Sequence, residues 1–268
     1  IQTGNDLVSD NSNNTTGITT LQTNEAVPGQ SAVGFTDLDG DGTTDIAFSG
    51  GNPVFQLADG TTVSGGVVNV IEGGTDLGGR LIVDADTALA VPSCMQELEP
   101  NSSAGFGQDI EGGVNLDGVA GGDFVVSNLQ GRIAVLSQDL AEVDCFTATD
   151  QYQFGKDVSL AYDINGDGHQ DLIASNGSVN ESPAETKTNA YVFYNDGNGQ
   201  FGIPYNAGDQ RRPHMRLDPI SFTSGAPNFE SGVSGAAGVG DFNGDGLSDL
   251  GAVIKQTGSG SLQLVIYY

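Results

Sequence analysis

One nine-residue segment recurs along this chain and constrains its fold more than any other feature. It reads Asp37-Leu38-Asp39-Gly40-Asp41-Gly42-Thr43-Thr44-Asp45, then Asp163-Ile164-Asn165-Gly166-Asp167-Gly168-His169-Gln170-Asp171, then Asp241-Phe242-Asn243-Gly244-Asp245-Gly246-Leu247-Ser248-Asp249. Side-chain oxygens stand at positions 1, 3, 5 and 9, and the glycine at position 6 permits a sharp turn. With the backbone carbonyl of position 7 (Thr43, His169 or Leu247) as a fifth donor, each segment can wrap one hard cation. Calcium fits such a donor set, because it takes six to eight oxygens at about 2.3–2.6 Å in irregular geometry. Asp-Gly and Asn-Gly pairs also make turns without any metal. The recurrence of the carboxylate spacing and of the apolar flanks favours about three Ca²⁺ sites.

The flanks exclude an EF-hand, which needs an acidic residue at position 12 and a helix on each side. Position 12 is Phe48, Ala174 and Ala252, and the segments run on into Ile46-Ala47-Phe48, Leu172-Ile173-Ala174 and Leu250-Gly251-Ala252-Val253. These short apolar runs are predicted strands, so each loop joins two strands. A fourth, degenerate copy spans Asn115 to Asp123: it keeps Asn115, Asp117 and Asp123, but Val119 replaces the position-5 carboxylate and Ala120 the position-6 glycine. Weak metal binding or none is expected there.

The four copies begin at 37, 115, 163 and 241, a long-short-long spacing that implies four like units. Each unit opens with a Gly-rich approach strand: Ser31 to Thr36, Phe106 to Val114, Phe154 to Tyr162 and Gly235 to Gly240. The loop and a short apolar strand follow, and after a gap comes a third strand at 67–71, 132–136, 190–194 or 262–268. Turns of the Asn195-Asp196-Gly197-Asn198-Gly199 type are expected to lead to a fourth strand in the first three units. Three or four strands per unit about a common axis make a blade, so the fold class expected is all-β, a β-propeller of about four blades over residues 31–268. In the last unit the third strand runs to Tyr268, and an outer strand is missing. Residues 1–30 belong to no unit, and Gly17 to Thr23 within them has strand-forming composition. This N-terminal arm is expected either to complete the fourth blade and close the ring, or to add to a neighbour's open edge and propagate a filament.

The rest of the composition narrows the setting. Glycine is abundant, at 41 residues, and runs of good helix formers are scarce. Formal net charge is −27, from 35 acidic and 8 basic residues. The three complete loops hold ten of those carboxylates, and three divalent ions would bring the net charge to about −21. Nucleic acid and anionic membranes are poor partners for such a surface. No stretch is apolar enough to span a bilayer, and the chain opens at Ile1 without a charged and apolar leader, as expected of a processed or trimmed chain. Calcium loops together with a possible disulfide point to an extracellular, secreted or cell-surface setting. Cys94 and Cys145 would enclose about 50 residues around the degenerate loop, a closure of about 4 kcal/mol in the chain-entropy model, and two unrelated buried thiols are the alternative. Asn13, Asn14, Asn101, Asn176 and Asn180 head Asn-x-Ser/Thr triplets, which are glycosylation acceptors if the source modifies such sites.

The Phe106-Gly107 and Phe154-Gly155 pairs, taken with the three Asp-x-Asp/Asn-x-Asp-Gly-x-x-Asp loops, resemble FG-GAP repeats, the blades of integrin α-chain propellers and of many bacterial surface proteins. The resemblance covers about residues 31–268. It implies structural Ca²⁺ held by Asp37, Asp39, Asp41 and Asp45 and by their counterparts. The departure is size, since integrin-type propellers have seven blades and about four units are recognisable here.

Catalytic signatures are absent from the sequence. It holds no Gly-x-Ser-x-Gly elbow, Walker loop or His-Glu-x-x-His, and its two histidines are His169 and His214. Carboxylate pairs could serve a polysaccharide-cleaving enzyme, but the calcium loops account for most of them and there is no tryptophan to stack a sugar. One segment breaks the acidic pattern: Arg211, Arg212, His214 and Arg216 form either a docking patch for a carboxylated glycan or acidic subunit, or an internal pairing with local aspartates. The function expected is therefore a non-enzymatic, calcium-stabilised adhesion or structural assembly module. Its partners would be an extracellular protein or glycan ligand, or identical subunits arranged head to tail.

Overall fold

The computed structural model describes residues 5–9, 21–23, 32–34, 42–50, 54–56, 62–64, 67–71, 82–83, 107–128, 131–138, 141–148, 155, 157–175, 190–205, 210–217, 231–256 and 262–268. Asp37, Asp39, Asp41, Cys94 and all five sequon asparagines (Asn13, Asn14, Asn101, Asn176, Asn180) lie outside the described residues. Within them the chain is all-β, built as several sheets, none closed into a barrel. Among the described residues no helix is long and apolar enough to cross a membrane.

Each recurring loop joins the first two strands of its own sheet. The first sheet has the order β3 (Ala32–Gly34), β4 (Ile46–Gly50), β7 (Val67–Ile71), and the first loop joins β3 to β4. The second sheet is a meander of β9 (Ile110–Val114), β10 (Asp123–Ser127), β11 (Arg132–Leu136) and β12 (Glu142–Ala148). The third comprises β13 (Asp157–Ala161), β14 (Asp171–Ser175), β15 (Ala190–Phe193) and β18 (Met215–Leu217). The fourth comprises β19 (Ser231–Gly240), β20 (Asp249–Gln256) and β21 (Leu262–Tyr267). All pairings within these four sets are antiparallel. β5 (Val54–Gln56) and β6 (Thr62–Ser64) form a separate hairpin.

The second, third and fourth sheets pack face to face in chain order, because their central strands are apolar on both sides. Along β14 every residue is buried: Leu172 and Ala174 join a core with Val125, Ile133, Val135 and Phe146 of the second sheet. Ile173, pointing to the opposite face, joins Ala236, Leu250 and Ala252 of the fourth. β10 is likewise buried throughout, with Phe124 and Val126 on the face away from the third sheet, and β9 runs against β3 and β4 of the first sheet. A continuous apolar run of about five residues is what a strand covered on both faces requires.

One expectation is corrected by the pairing. The turn at 195–199 does not lead to the fourth strand of the third sheet. After the Asn195–Phe201 bridge the chain enters β16 (Ile203–Pro204), which pairs with β17 (Gln210–Arg212), and β17 lies parallel to β12 of the second sheet. Gly202, at φ 77°, breaks the run, and an ion pair from Arg211 to Asp144 on β12 ties the excursion down. The fourth strand of the third sheet is β18, reached only afterwards. In the N-terminal arm, β2 (Leu21–Thr23) pairs with β1 (Asn5–Ser9), and β1 pairs with β8 (Ile82–Val83). The arm is thus bound to the spacer after the first sheet. Among the described strands β21 pairs with β20 alone.

Candidate metal-binding loops

The third and fourth loops fold by the same local rules. Asp163 and Asp241 at position 1 organise the turn: one oxygen accepts from the N–H of positions 4 and 5, at 2.6 and 3.0 Å in both loops. The other accepts from position 6, at 2.7 Å from Gly168 and 2.9 Å from Gly246. Asn165 and Asn243 at position 3 accept from the N–H of position 5 and donate their amide to its carboxylate. Asp167 and Asp245 accept in turn from the N–H of His169 and Leu247. Position 6 has φ of 89°, 91° and 94° at Gly42, Gly168 and Gly246, with open space where a Cβ would stand. Glycine is therefore required there for its conformation, not for room.

Position 9 behaves differently from positions 1, 3 and 5. Asp45, Asp123, Asp171 and Asp249 are all buried, whereas Asp163, Asn165, Asp167, Asp241, Asn243 and Asp245 are exposed or half-exposed. Asp123, Asp171 and Asp249 close their loops from beneath. Asp249 Oδ2 accepts from Phe242 and Asn243 N–H at 2.7 and 3.0 Å, Asp171 Oδ2 from Ile164 at 2.8 Å, and Asp123 Oδ2 from Leu116 and Asp117 at 2.6 and 3.0 Å. Burial pushes Asp171 up to about 6 against the pull of its two backbone donors, and the Asp167 and Asp163 charges add to the rise. Burial raises Asp123 in the same way. The exposed Asp245 is lowered, chiefly by the Leu247 N–H and then by Asn243.

The degenerate loop keeps this closure and replaces the rest. Asn115 Oδ1 accepts from Gly118 N–H at 2.7 Å, while its Nδ2 donates to the Val119 carbonyl at 2.5 Å. Asp117 accepts from Val119 N–H at 2.8 Å. An amide at position 1 supplies a donor that a carboxylate lacks.

Consecutive loops also touch one another. Ser248 N–H donates to the Asp163 carbonyl at 2.9 Å, and the Leu247 side chain covers Gly166. The His169 imidazole lies over Gly197 of the 195–199 turn. The buried Asn195 joins that turn to the degenerate loop: its Nδ2 donates to the Leu116 carbonyl, its Oδ1 accepts from Gly197 N–H, and its own N–H donates to Asp171 Oδ1. The His169 and Leu247 side chains at position 7 therefore serve packing.

The donor set at positions 1, 3 and 5 is all oxygen, acidic and solvent-facing, as a hard cation requires, and the carboxylates keep lone pairs beyond those given to the backbone. Their side chains are turned onto the N–H groups of their own loops. Among the described residues no three carboxylate, imidazole or thiol groups converge as a ready-made metal cage. Of the first loop, Thr43 is half-buried and Asp45 buried.

The basic segment is used internally to a large extent. Arg211 pairs with the buried Asp144 at 3.2 Å, and Asp144 also accepts from the N–H groups of Phe201 and Cys145. The Arg212 guanidinium sits 3.7 Å from the Tyr205 ring centroid. His214 stacks on Tyr194 with centroids 4.4 Å apart and accepts from Tyr194 N–H through Nδ1, and burial lowers its affinity for a proton. Arg216 is exposed on β18. Cys145 on β12 is disulfide-bonded.

A carboxyl cluster not singled out from the sequence lies where the second and third sheets meet. Asp109 accepts from Val158 N–H at 2.9 Å, across the sheet boundary, and Asp157 accepts from Ser175 Oγ at 3.3 Å. Burial, then the charges of Asp109 and Asp157, push Glu111 on β9 up to about 7, and burial followed by Asp109 raises Asp157. A charged residue inside the Gly-rich strand Ile110-Glu111-Gly112-Gly113 was the available signal.

No protein-family model matches the chain, and no curated protein matches it. The likeness to FG-GAP repeats thus rests on the loop and strand pattern alone.

Proposed function

We propose that the protein is a calcium-stabilised, propeller-type module of the extracellular space, without catalytic activity, serving adhesion or structural assembly. The observation that carries this reading is the division of labour inside the loops. Position 9 is buried and committed to the backbone, so the fold explains it without metal. Positions 1, 3 and 5 hold acidic or amide oxygens at the exposed tip, where they bond the backbone of their own loop, keep lone pairs to spare and bring like charges together. Bound Ca²⁺ would neutralise Asp163 with Asp167, and Asp241 with Asp245, and Asn165 and Asn243 would complete each donor set. The same role falls to Asp37, Asp39 and Asp41 in the first loop. The position-7 carbonyls of Thr43, His169 and Leu247 remain the proposed backbone ligands.

Stiffened loops would hold consecutive sheets in register through the Ser248–Asp163 and Leu247–Gly166 contacts and present the spacers, about 75–105 and 200–232, as binding surfaces. The FG-GAP resemblance supports the fold class and carries no ligand with it. A Cys94–Cys145 disulfide would suit an oxidising compartment.

The test is thermal unfolding with calcium and with chelator. Asp167→Ala should lower the Tm in calcium and leave it unchanged in chelator. Equal losses in both conditions would count against the metal assignment.

A further inference from the structure

Three Asn-Gly pairs fall among the described residues: Asn165-Gly166, Asn198-Gly199 and Asn243-Gly244. In such a pair the backbone nitrogen can attack the side-chain amide before it, because glycine has no Cβ to hinder the approach. The structure treats the three pairs differently. At Asn165 both reacting groups are held. Gly166 N–H donates to Asp163 Oδ1 at 2.6 Å, while Asp167 clasps the amide, its N–H donating to Asn165 Oδ1 at 3.0 Å and its Oδ2 accepting from Nδ2 at 2.8 Å. Asn243 repeats the pattern, with Gly244 N–H on Asp241 Oδ1 at 2.6 Å and the amide bonded twice to Asp245. Asn198 has neither restraint. It is exposed, and among the described residues no hydrogen bond engages its side-chain amide or the Gly199 N–H. The N–H groups on either side are taken, those of Asn198 and Gln200 donating to Asp196 Oδ1 at 2.8 and 3.3 Å.

We propose that Asn198 is a site of spontaneous deamidation, and that the loops at 163–171 and 241–249 shield their own Asn-Gly pairs by hydrogen bonding. In the reaction the Gly199 nitrogen attacks Asn198 Cγ. The N–Cγ bond forms, the Cγ–Nδ2 bond breaks, and the amide nitrogen leaves as ammonia with the proton that the Gly199 nitrogen gives up. Water then opens the cyclic imide at either carbonyl, leaving aspartate or, where the backbone now runs through the side chain, isoaspartate. Nothing is oxidised or reduced. For Gly166 or Gly244 to attack, its N–H must first leave a carboxylate and the asparagine must leave its clasp. Giving up one charge-assisted hydrogen bond slows the step at least about tenfold. The product matters because of where the turn sits. Gly199 packs against Val143 and Asp117, and the turn is flanked by the buried Asn195 and Phe201. Isoaspartate lengthens the backbone by one carbon between those anchors and adds a negative charge near Asp196, loosening the tie that Asn195 makes to the Leu116 carbonyl. Shielding by backbone bonds needs no cation, so it can fail separately from the function proposed above.

The test is to age the 268-residue chain in mildly alkaline heavy-oxygen water, below its unfolding transition, in calcium and in chelator. Mass spectrometry of the digested protein follows each Asn-Gly pair, electron-transfer fragmentation separates isoaspartate from aspartate, and the heavy oxygen marks conversion that occurred during ageing and not during digestion. Asn198 should convert at least about tenfold faster than Asn165 and Asn243 in both conditions. Asn176-Gly177 lies outside the described residues and is followed apart from the comparison. In denaturant the three rates should converge, because local sequence alone then distinguishes them. Asp163→Ala, measured in chelator and checked for folding by circular dichroism, should raise the Asn165 rate toward that of Asn198; if it does not fold, the wild-type ranking decides. An unconverted Asn198, equal native rates at the three positions, a ranking that persists in denaturant, or a folded Asp163→Ala protein with no rise at Asn165 overturns the proposal. Shielding that disappears in chelator also overturns it, since a cation and not the backbone bonds would then protect the loops.

Discussion

Asn195 offers the sharpest test of how the sheets are locked together. Its side chain is buried and spends both ends: Nδ2 donates to the Leu116 carbonyl of the second unit at 3.0 Å, and Oδ1 accepts from Gly197 N–H at 3.0 Å. Asn195→Ala removes both bonds and leaves a buried carbonyl without that donor. At about 1 kcal/mol per neutral bond, plus the desolvation penalty of the stranded groups, the loss should be about 2–3 kcal/mol. That corresponds to a fall in Tm of about 5–10 °C for a chain of this size. Asn195→Asp should cost more. It keeps the acceptor for Gly197 but sets a carboxylate oxygen against the Leu116 carbonyl, beside an Asp171 whose own ionisation burial already disfavours. Its deficit should shrink as pH falls and the new carboxyl protonates. The assay is calorimetric unfolding in calcium and in chelator, with exposed Asn198→Ala as the control expected within about 0.5 kcal/mol of wild type. An Asn195→Ala protein as stable as that control would refute the reasoning, because the cross-sheet bond would then contribute nothing.

Arg211→Ala should destabilise by about 3 kcal/mol in urea unfolding, since it strands the buried Asp144 carboxylate; a loss under about 0.5 kcal/mol would return Arg211 to the class of surface pairs. Glu111 has a folded-state pKa near 7, above its ordinary value of 4.5, so the folded form holds its proton more tightly and stability declines as pH rises from about 4.5 through 7. The full shift would amount to about 3 kcal/mol, and partial solvent access reduces it to roughly 1 kcal/mol. Glu111→Gln should accordingly raise the Tm at about pH 8 and leave it unchanged near pH 4, and an equal gain at both would dismiss the linkage. Asp123→Ala should cost about 2 kcal/mol with or without calcium, since it frees two backbone donors, whereas Asp245→Ala should cost stability in calcium alone; melting curves of the pair in both conditions decide it.

The elements legible in the sequence were those whose cause is local. The runs at 46–50, 123–127, 171–175 and 249–256 are strands because their residues are apolar and short-spanned, and each loop lies between two strands because its glycines and aspartates encode the turn within nine residues. What the sequence concealed depends on partners far along the chain. Arg211 meets Asp144 across 67 positions, and Asn195 meets Leu116 across 79. Neither pairing leaves a periodicity to read. The excursion of β16 and β17 to the second sheet follows from that ion pair and was hidden with it. The arm at β1 and β2 has strand-forming composition, which says that it pairs but not with what.

The degenerate loop separates two demands that the complete loops combine. It has lost the carboxylate at position 5 and the glycine at position 6, yet Asp123 at position 9 is as buried, and as firmly bonded to its backbone donors, as Asp249 in the fourth loop. A residue required only as a metal ligand would have no such role where the other ligands are missing. Position 9 is therefore set by the fold: it caps the N–H groups that the turn leaves facing the core, and their burial forbids leaving them bare. Position 1 carries the other demand. Where it is Asn115, an amide hydrogen reaches the carbonyl across the loop and the turn closes on itself. Where it is Asp163 or Asp241, no such hydrogen exists, and the carboxylate instead gathers the N–H groups of positions 4, 5 and 6 while a second carboxylate stands at position 5. On the function proposed above, a cation would balance in the third and fourth loops the pair of carboxylates that the degenerate loop lacks.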